Sequence, residues 1–353
     1  MQAFFCPDQL LHTPQQFMRL GRLHKPADVP ARAEALHAML TALGVPVHLP
    51  PAYGAAGLAA MQAVHSPAYL DYLATAFDRW QALRLPGVEP GPEVLPNLGP
   101  ALHVRRDLAR GDCPSPSIVA QTGWYVSDLA CPIGPHTWRS ILRAAHTALA
   151  AAEAVCAGET LAYALCRPSG HHAQRDRAGG FCYVNNAAVA TQRLAQQFGR
   201  VAVLDVDAHH GDGTQQIFYE RADVLTVSTH ADPDHYYPFY SGRADERGAG
   251  AGQGHNLNLP LAHGSGNAAF IAALDQGIAA VRAHAPAALV LCMGFDTFGD
   301  DPLSVLKLDF DAYRAVGQRV RALGLPTVVV QEGGYMVEAL GPGLQALLEG
   351  LGA

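Results

Sequence analysis

The sequence predicts an α/β protein in which a central parallel sheet is flanked by helices within a single domain over residues 1–353, and three observations carry that reading. Apolar runs rich in Val, Leu and Ala recur at 161–166, 200–207, 223–229, 287–293 and 326–331, each with the character of a strand buried on both faces. Helical stretches at about 138–157, 186–198, 267–284, 310–323 and 337–351 alternate with them. The polar motifs fall mainly where these strands end, and open parallel sheets bind ligands outside the carboxyl ends of their strands. With 49% hydrophobic and 16% charged residues, the 353-residue chain has the material for a sizeable core.

Taken in order, the first run, 161–166, leads into Arg167-Pro-Ser-Gly-His-His-Ala, so His171 and His172 sit where a loop leaves the sheet. Tandem imidazoles there suit proton transfer near neutrality. Gly179-Gly-Phe-Cys-Tyr follows, where Gly180 allows close backbone approach and Phe181 offers an apolar wall. The second run ends in Asp205-Val-Asp-Ala-His-His-Gly-Asp-Gly. Asp207 and His209, two apart in extended chain, point the same way. The run at 287–293 is followed by Asp296, a third ligand candidate, and the run at 326–331 by Glu332-Gly-Gly-Tyr335. Tyr335 after two glycines can aim its hydroxyl at a developing oxyanion.

Two aspartates and one histidine leave positions open for water and substrate, as catalytic zinc requires, although iron(II), cobalt and manganese accept the same donors. Aspartates at turns commonly satisfy loop amides instead; the density of this cluster favours an ion. The residue two after Asp296 is Phe298, which disfavours a second, bridged metal. Asp205 and Asp212 are the candidates to receive the remaining ring N–H of the two histidines.

Other features bound the setting. A formal charge of −7 disfavours a polyanion such as nucleic acid and leaves a cationic or neutral substrate easier to accommodate. Seven scattered cysteines without CxxC spacing argue against a disulfide framework and for a reducing cytoplasm. No signal-like or membrane-spanning run is present, so a soluble protein without membrane partners is expected. The stretch 85–117, with seven prolines, reads as a long loop that either caps a site or contacts another subunit, or else forms a mobile surface excursion, and 242–254 reads as a glycine-rich surface loop.

Together, 167–173, 179–186, 204–213, 294–302 and 332–335 resemble the histone deacetylase superfamily. Phe77-Asp-Arg-Trp, Gly123-Trp-Tyr, Asn185-Asn-Ala-Ala-Val-Ala and Leu306-Lys-Leu look most like its bacterial acetylpolyamine branch. The resemblance implies an arginase-deacetylase fold and zinc on Asp207, His209 and Asp296. It implies His172 as general base and acid, His171 as electrostatic partner and Tyr335 as carbonyl polariser, with Asp205 and Asp212 pairing with His171 and His172. It also implies potassium at Asp205, Ser228 and Thr229 with the backbone of Asp207 and His209. Phe181 and Tyr237 match a tunnel-lining aromatic pair, and the proline-rich insertion matches one that builds a homodimer contact at the site mouth.

The implied activity is hydrolysis of an N-acetylated amine, an acetylpolyamine, to acetate and amine. Acetyl-lysine in a peptide or protein is the alternative substrate, and a non-catalytic acyl-ligand binder the alternative class. The chain departs from the branch at Ala130, where a glutamate for the distal ammonium is expected; Asp128 is the candidate to substitute.

Overall fold

In the computed structural model, residues 1–84, 86–87, 89–99 and 111–353 are described. Eight strands form one wholly parallel sheet: β1 (Gln2–Phe4), β4 (Val47–His48), β5 (Leu161–Ala164), β6 (Val201–Asp205), β7 (Val224–Ala231), β8 (Asn256–Leu261), β9 (Ala288–Met293) and β10 (Thr327–Gln331). Their order is β4-β1-β5-β10-β9-β6-β7-β8. A separate hairpin, β2 (Phe17–Arg19) with β3 (Arg22–His24), stands apart from the sheet.

Strand periodicity divides the core in two, because successive side chains face opposite sides. Ala162, Val203, Val290 and Val328 point to one face, packing with α3 (Pro67–Gln81), α4 (Ile118–Tyr125), α5 (Thr137–Cys156) and α6 (Asn186–Phe198). Tyr163, Leu204, Leu291 and Val329 point to the other, against α1 (Pro30–Ala42), α8 (Asn267–His284), α9 (Phe310–Arg321) and α10 (Val337–Leu351). The short α2 (Ala55–Gln62) and α7 (Asp212–Phe218) complete the helices among the described residues.

All five strands and five helices expected from the sequence are present, with ends shifted by at most two residues. The elements without a strong periodic signal are β1 and β4, at three and two residues, the edge strand β8, the hairpin, and α1–α4 and α7. Pro260 within β8 is tolerated because an edge strand leaves one row of backbone groups unpaired. In the proline-rich insertion, Leu85, Val88 and 100–110 lie outside the described residues. Its start is tied down by Val94, which exchanges backbone hydrogen bonds with Ile133 at 2.9 and 3.0 Å. The loop at 242–254 connects β7 to β8 and is mostly exposed.

Candidate metal centre and active site

The carboxyl ends of β5, β6, β9 and β10 converge, and the polar residues there are almost wholly buried. Asp207, His209 and Asp296 present ligand atoms that all lie within 4.8 Å of one another. The His209 Nδ1 lies 2.9 Å from Asp296 Oδ2 and 3.2 Å from Asp207 Oδ1. Backbone amides fix both carboxylates: Asp207 accepts from His209 N and Gly333 N, and Asp296 from Ala208 N. Burial and the neighbouring Asp207 carboxylate push Asp296 up to about 7, and although burial opposes it, hydrogen bonds to both aspartates hold His209 up at about 9. Two buried carboxylates facing each other without a cation are costly, and a mixed oxygen and nitrogen donor set with room for further ligands fits a divalent metal.

Two His–Asp pairs flank this cluster. His171 Nδ1 donates to Asp205 Oδ2 at 2.9 Å and His172 Nδ1 donates to Asp212 Oδ1 at 2.8 Å. The rings lie 4.0 Å apart, centroid to centroid. Their environments drive them in opposite directions. Although burial opposes it, Asp207 and Asp205 hold His171 well above the usual histidine range, whereas burial and the neighbouring His171 and His209 hold His172 well below it. One ring is therefore a fixed positive charge and the other a neutral base.

A pocket of about 330 Å³ is lined by His172 and His209 together with Phe17, Phe181, Tyr237, Leu303 and Tyr335. Gly180 has to be glycine here: its φ is +55°, and a Cβ would fall 2.5 Å from His172 Cδ2. Phe181 follows at φ +68° and meets Tyr335 edge-on at 5.7 Å. Burial keeps the Tyr335 phenol protonated, against the opposing pull of Arg32. Asp128 also lines the pocket and is its one carboxylate among the described residues. It is a buttress more than a free acid, since Gly180 N, Ala130 N and Tyr237 Oη already donate to it. Burial raises its pKa.

Asp205 and Ser228 are paired across β6 and β7, and the Thr229 hydroxyl next to them is buried without a partner. The predicted metal and proton-transfer residues thus lie together at the strand ends, with Ser228 and Thr229 beside Asp205 within β7 and Asp128, Gly180, Phe181 and Tyr237 along the pocket. Several supporting residues went unassigned in the sequence. Glu332 Oε2 accepts from Gly170 N and His171 N, and Asp301 Oδ2 accepts from Tyr335 N and Met336 N. Both stand inside motifs singled out above, where an acidic side chain beside glycines is the available signal. Arg32 has none: remote in sequence, it stacks under the Tyr335 ring at 4.7 Å and pairs with the buried Asp28 at 2.6 Å. Tyr236, stacked on His209 at 4.5 Å, stands beside the predicted Tyr237.

Fold and site define an arginase-deacetylase type of α/β protein with a candidate metal centre at its strand ends. The model of the histone deacetylase domain matches residues 26–351, and the chain belongs to that family. The chain is 47% identical to an acetylpolyamine amidohydrolase of Burkholderia pseudomallei, over 100% of this chain and 99% of that one. It is 38% identical to the acetylpolyamine amidohydrolase of Mycoplana ramosa, over 99% of each chain. A crystal structure of acetylpolyamine aminohydrolase from Burkholderia pseudomallei superposes with a TM-score of 0.93 at 45% identity, covering 100% of this chain and 99% of that one.

Proposed function

We propose that this protein is a zinc-dependent amidohydrolase that removes the acetyl group from an N-acetylated amine, with acetylpolyamines as its substrates. The observation that carries the reading is the convergence of the Asp207, His209 and Asp296 cluster with a neutral His172 in a pocket walled by aromatic side chains. The names of the full-length relatives support the polyamine as the amine.

Asp207, His209 and Asp296 would hold the zinc, which when bound would supply Lewis-acid chemistry toward the acetyl carbonyl and the attacking water. His172, neutral and hydrogen-bonded to Asp212, takes the proton of the attacking water and delivers it to the leaving amine. His171, held charged by Asp205, stabilises the negative charge that develops beside it. The protonated phenol of Tyr335 donates to the developing oxyanion. Phe181 and Tyr237 line the passage for a methylene chain, and Gly180 lets the chain come close to His172.

Potassium at Asp205, Ser228 and Thr229, with the backbone of Asp207 and His209, is supported by an all-oxygen donor set and the unpartnered Thr229 hydroxyl. A homodimer contact through the insertion at 85–117 rests on resemblance, and light scattering tests it. A cytoplasmic setting is supported by the seven free cysteines; no helix among the described residues is long and apolar enough to cross a membrane.

The deciding experiment is a turnover panel of acetylputrescine, acetylcadaverine, longer acetylpolyamines and acetyl-lysine peptides with the zinc-loaded protein. Highest kcat/KM on an acetylated di- or polyamine is expected. Dominant turnover of the peptides would overturn the polyamine assignment, and intact acetyl amides throughout would overturn the hydrolase.

A further inference from the structure

His172 stands between two solvent spaces. Its ring lines the pocket described above, while its partner Asp212 lines a second, open cleft of about 700 Å³ behind it. The two His–Asp pairs differ sharply in this respect. Asp205 is sealed, with one oxygen on His171 and the other on the Asp207 amide, and its side chain is 4% exposed. The Asp212 side chain is 12% exposed. Its Oδ1 accepts from His172, and its outward Oδ2 accepts from Gln174 Nε2 at 3.0 Å.

Gln174 lines the same cleft and is itself anchored at its backbone. Its N–H donates to Arg177 O at 2.9 Å, and its carbonyl accepts from His65 Nδ1 at 2.9 Å. Set on this anchored backbone, the carboxamide meets the Asp212 Oδ2 on the side of the cleft that both residues line. We propose that Gln174 is a positioning residue for the acid–base histidine, its carboxamide holding the Asp212 carboxyl turned toward His172. This rests on the reading of His172 as the acid–base group.

The chemistry makes such a contact consequential. In acetyl amide hydrolysis a water O–H bond and the C–N bond break, a C–O bond forms, and the proton passes from water through His172 to the amine. No net proton leaves, so the reaction depends on how strongly His172 holds that proton between the two transfers. An ionised Asp212 strengthens that hold and a protonated one weakens it.

Burial raises Asp212 to about 6, and the Gln174 hydrogen bond is the foremost influence opposing the rise. The other titratable or charged groups around it are His171 and His172 from the histidine loop, Asp128 and Tyr237 on the pocket side, and Glu220 and Arg221 along the cleft. Loss of the Gln174 donor moves Asp212 upward, so it becomes protonated at higher pH.

The test uses the full-length zinc-loaded protein with Gln174→Met, which keeps the side-chain length and removes the donor, and Gln174→Glu, which places a second carboxylate against Asp212. With acetylcadaverine as probe, the acid limb of kcat/KM against pH is expected to move up by about 0.5–1 unit in Gln174→Met and further in Gln174→Glu, converging on wild type by about pH 9. Superimposable profiles, or a loss of equal size at every pH, would overturn the proposal. A second readout needs no turnover: the downfield His172 Nδ1–H proton NMR signal, assigned by its loss in His172→Ala, is expected to broaden at higher pH in Gln174→Met than in wild type. Identical titrations there sink the Gln174 proposal. A shifted titration in a protein that hydrolyses no acetyl amide sinks the acid–base reading and keeps the coupling of Gln174 to Asp212.

Discussion

Tyr335 illustrates how much of one residue's role is set by others. Asp301 clamps the backbone amides of Tyr335 and Met336 at 2.6 and 2.9 Å, Arg32 lies under the ring, and Phe181 meets its edge. The phenol is thus aimed before substrate arrives, which is what an oxyanion donor requires. Tyr335→Phe is expected to lower kcat/KM about 10²-fold, or more, with zinc content unchanged by elemental analysis. Unaltered turnover would remove the oxyanion role. His172→Ala is expected to cost about 10²–10⁴-fold in kcat with the metal retained, because it deletes the proton carrier and no ligand. At this scale the motif residues were legible because charged groups at the end of an apolar strand demand partners. Arg32 and Asp28 were not, since their partnership with the tyrosine turn exists only after α1 packs beside α10.

Elements were legible in proportion to their burial and length. The strands β5, β6, β9 and β10 are largely apolar, and β7 begins so, because helices cover both faces, and α5, α6, α8, α9 and α10 are long enough to show a period. The strands β1 and β4 are too short to carry any pattern, and β8 hides its alternation behind Asn256, Asn258 and Pro260. Close approach between elements is equally hidden, and two glycines show its different consequences. In α9, a Cβ on Gly317 would lie 2.4 Å from the Leu347 carbonyl of α10. Alanine ordinarily strengthens a helix by about 1 kcal/mol over glycine, but here the backbone clash decides the sign. Gly317→Ala is expected to destabilise the protein by about 1–3 kcal/mol in urea unfolding while turnover per folded molecule stays unchanged. After β10, a Cβ on Gly333 would lie 2.4 Å from Asp296 Oδ2 and 2.6 Å from Asp207 Oδ2. Gly333→Ala is expected to lose zinc and activity while the circular dichroism spectrum is kept; a fully metallated variant would show that the cluster tolerates displacement.

Across the whole molecule, the metal cluster ties together strand ends far apart in sequence, since Asp207 follows β6, Asp296 follows β9, and the amide holding Asp207 follows β10. Stripping the metal should therefore lower overall stability by the binding free energy of the ion, and the size of the loss should depend on pH. In the metal-free protein Asp296 titrates at about 7 when folded against an ordinary value of 3.8, and His209 at about 9 against 6.5. Both folded values are raised, so each group's stabilising proton is fully in place below its unfolded value and is lost as pH rises through the folded one, over about 4–7 for Asp296 and 6.5–9 for His209. Bound metal takes the place of those protons and removes the dependence. Asp212 and Glu332 are likewise raised by burial, and His171 by Asp207 and Asp205, but none of the three belongs to the ligand set, so their titration enters both curves. The difference in Tm between zinc-loaded and chelator-stripped protein is thus expected to be small near pH 5 and to widen steadily to pH 8, measured by differential scanning calorimetry. A difference that stays constant across that range would mean that Asp296 and His209 do not exchange protons for the metal, and would remove them from the ligand set.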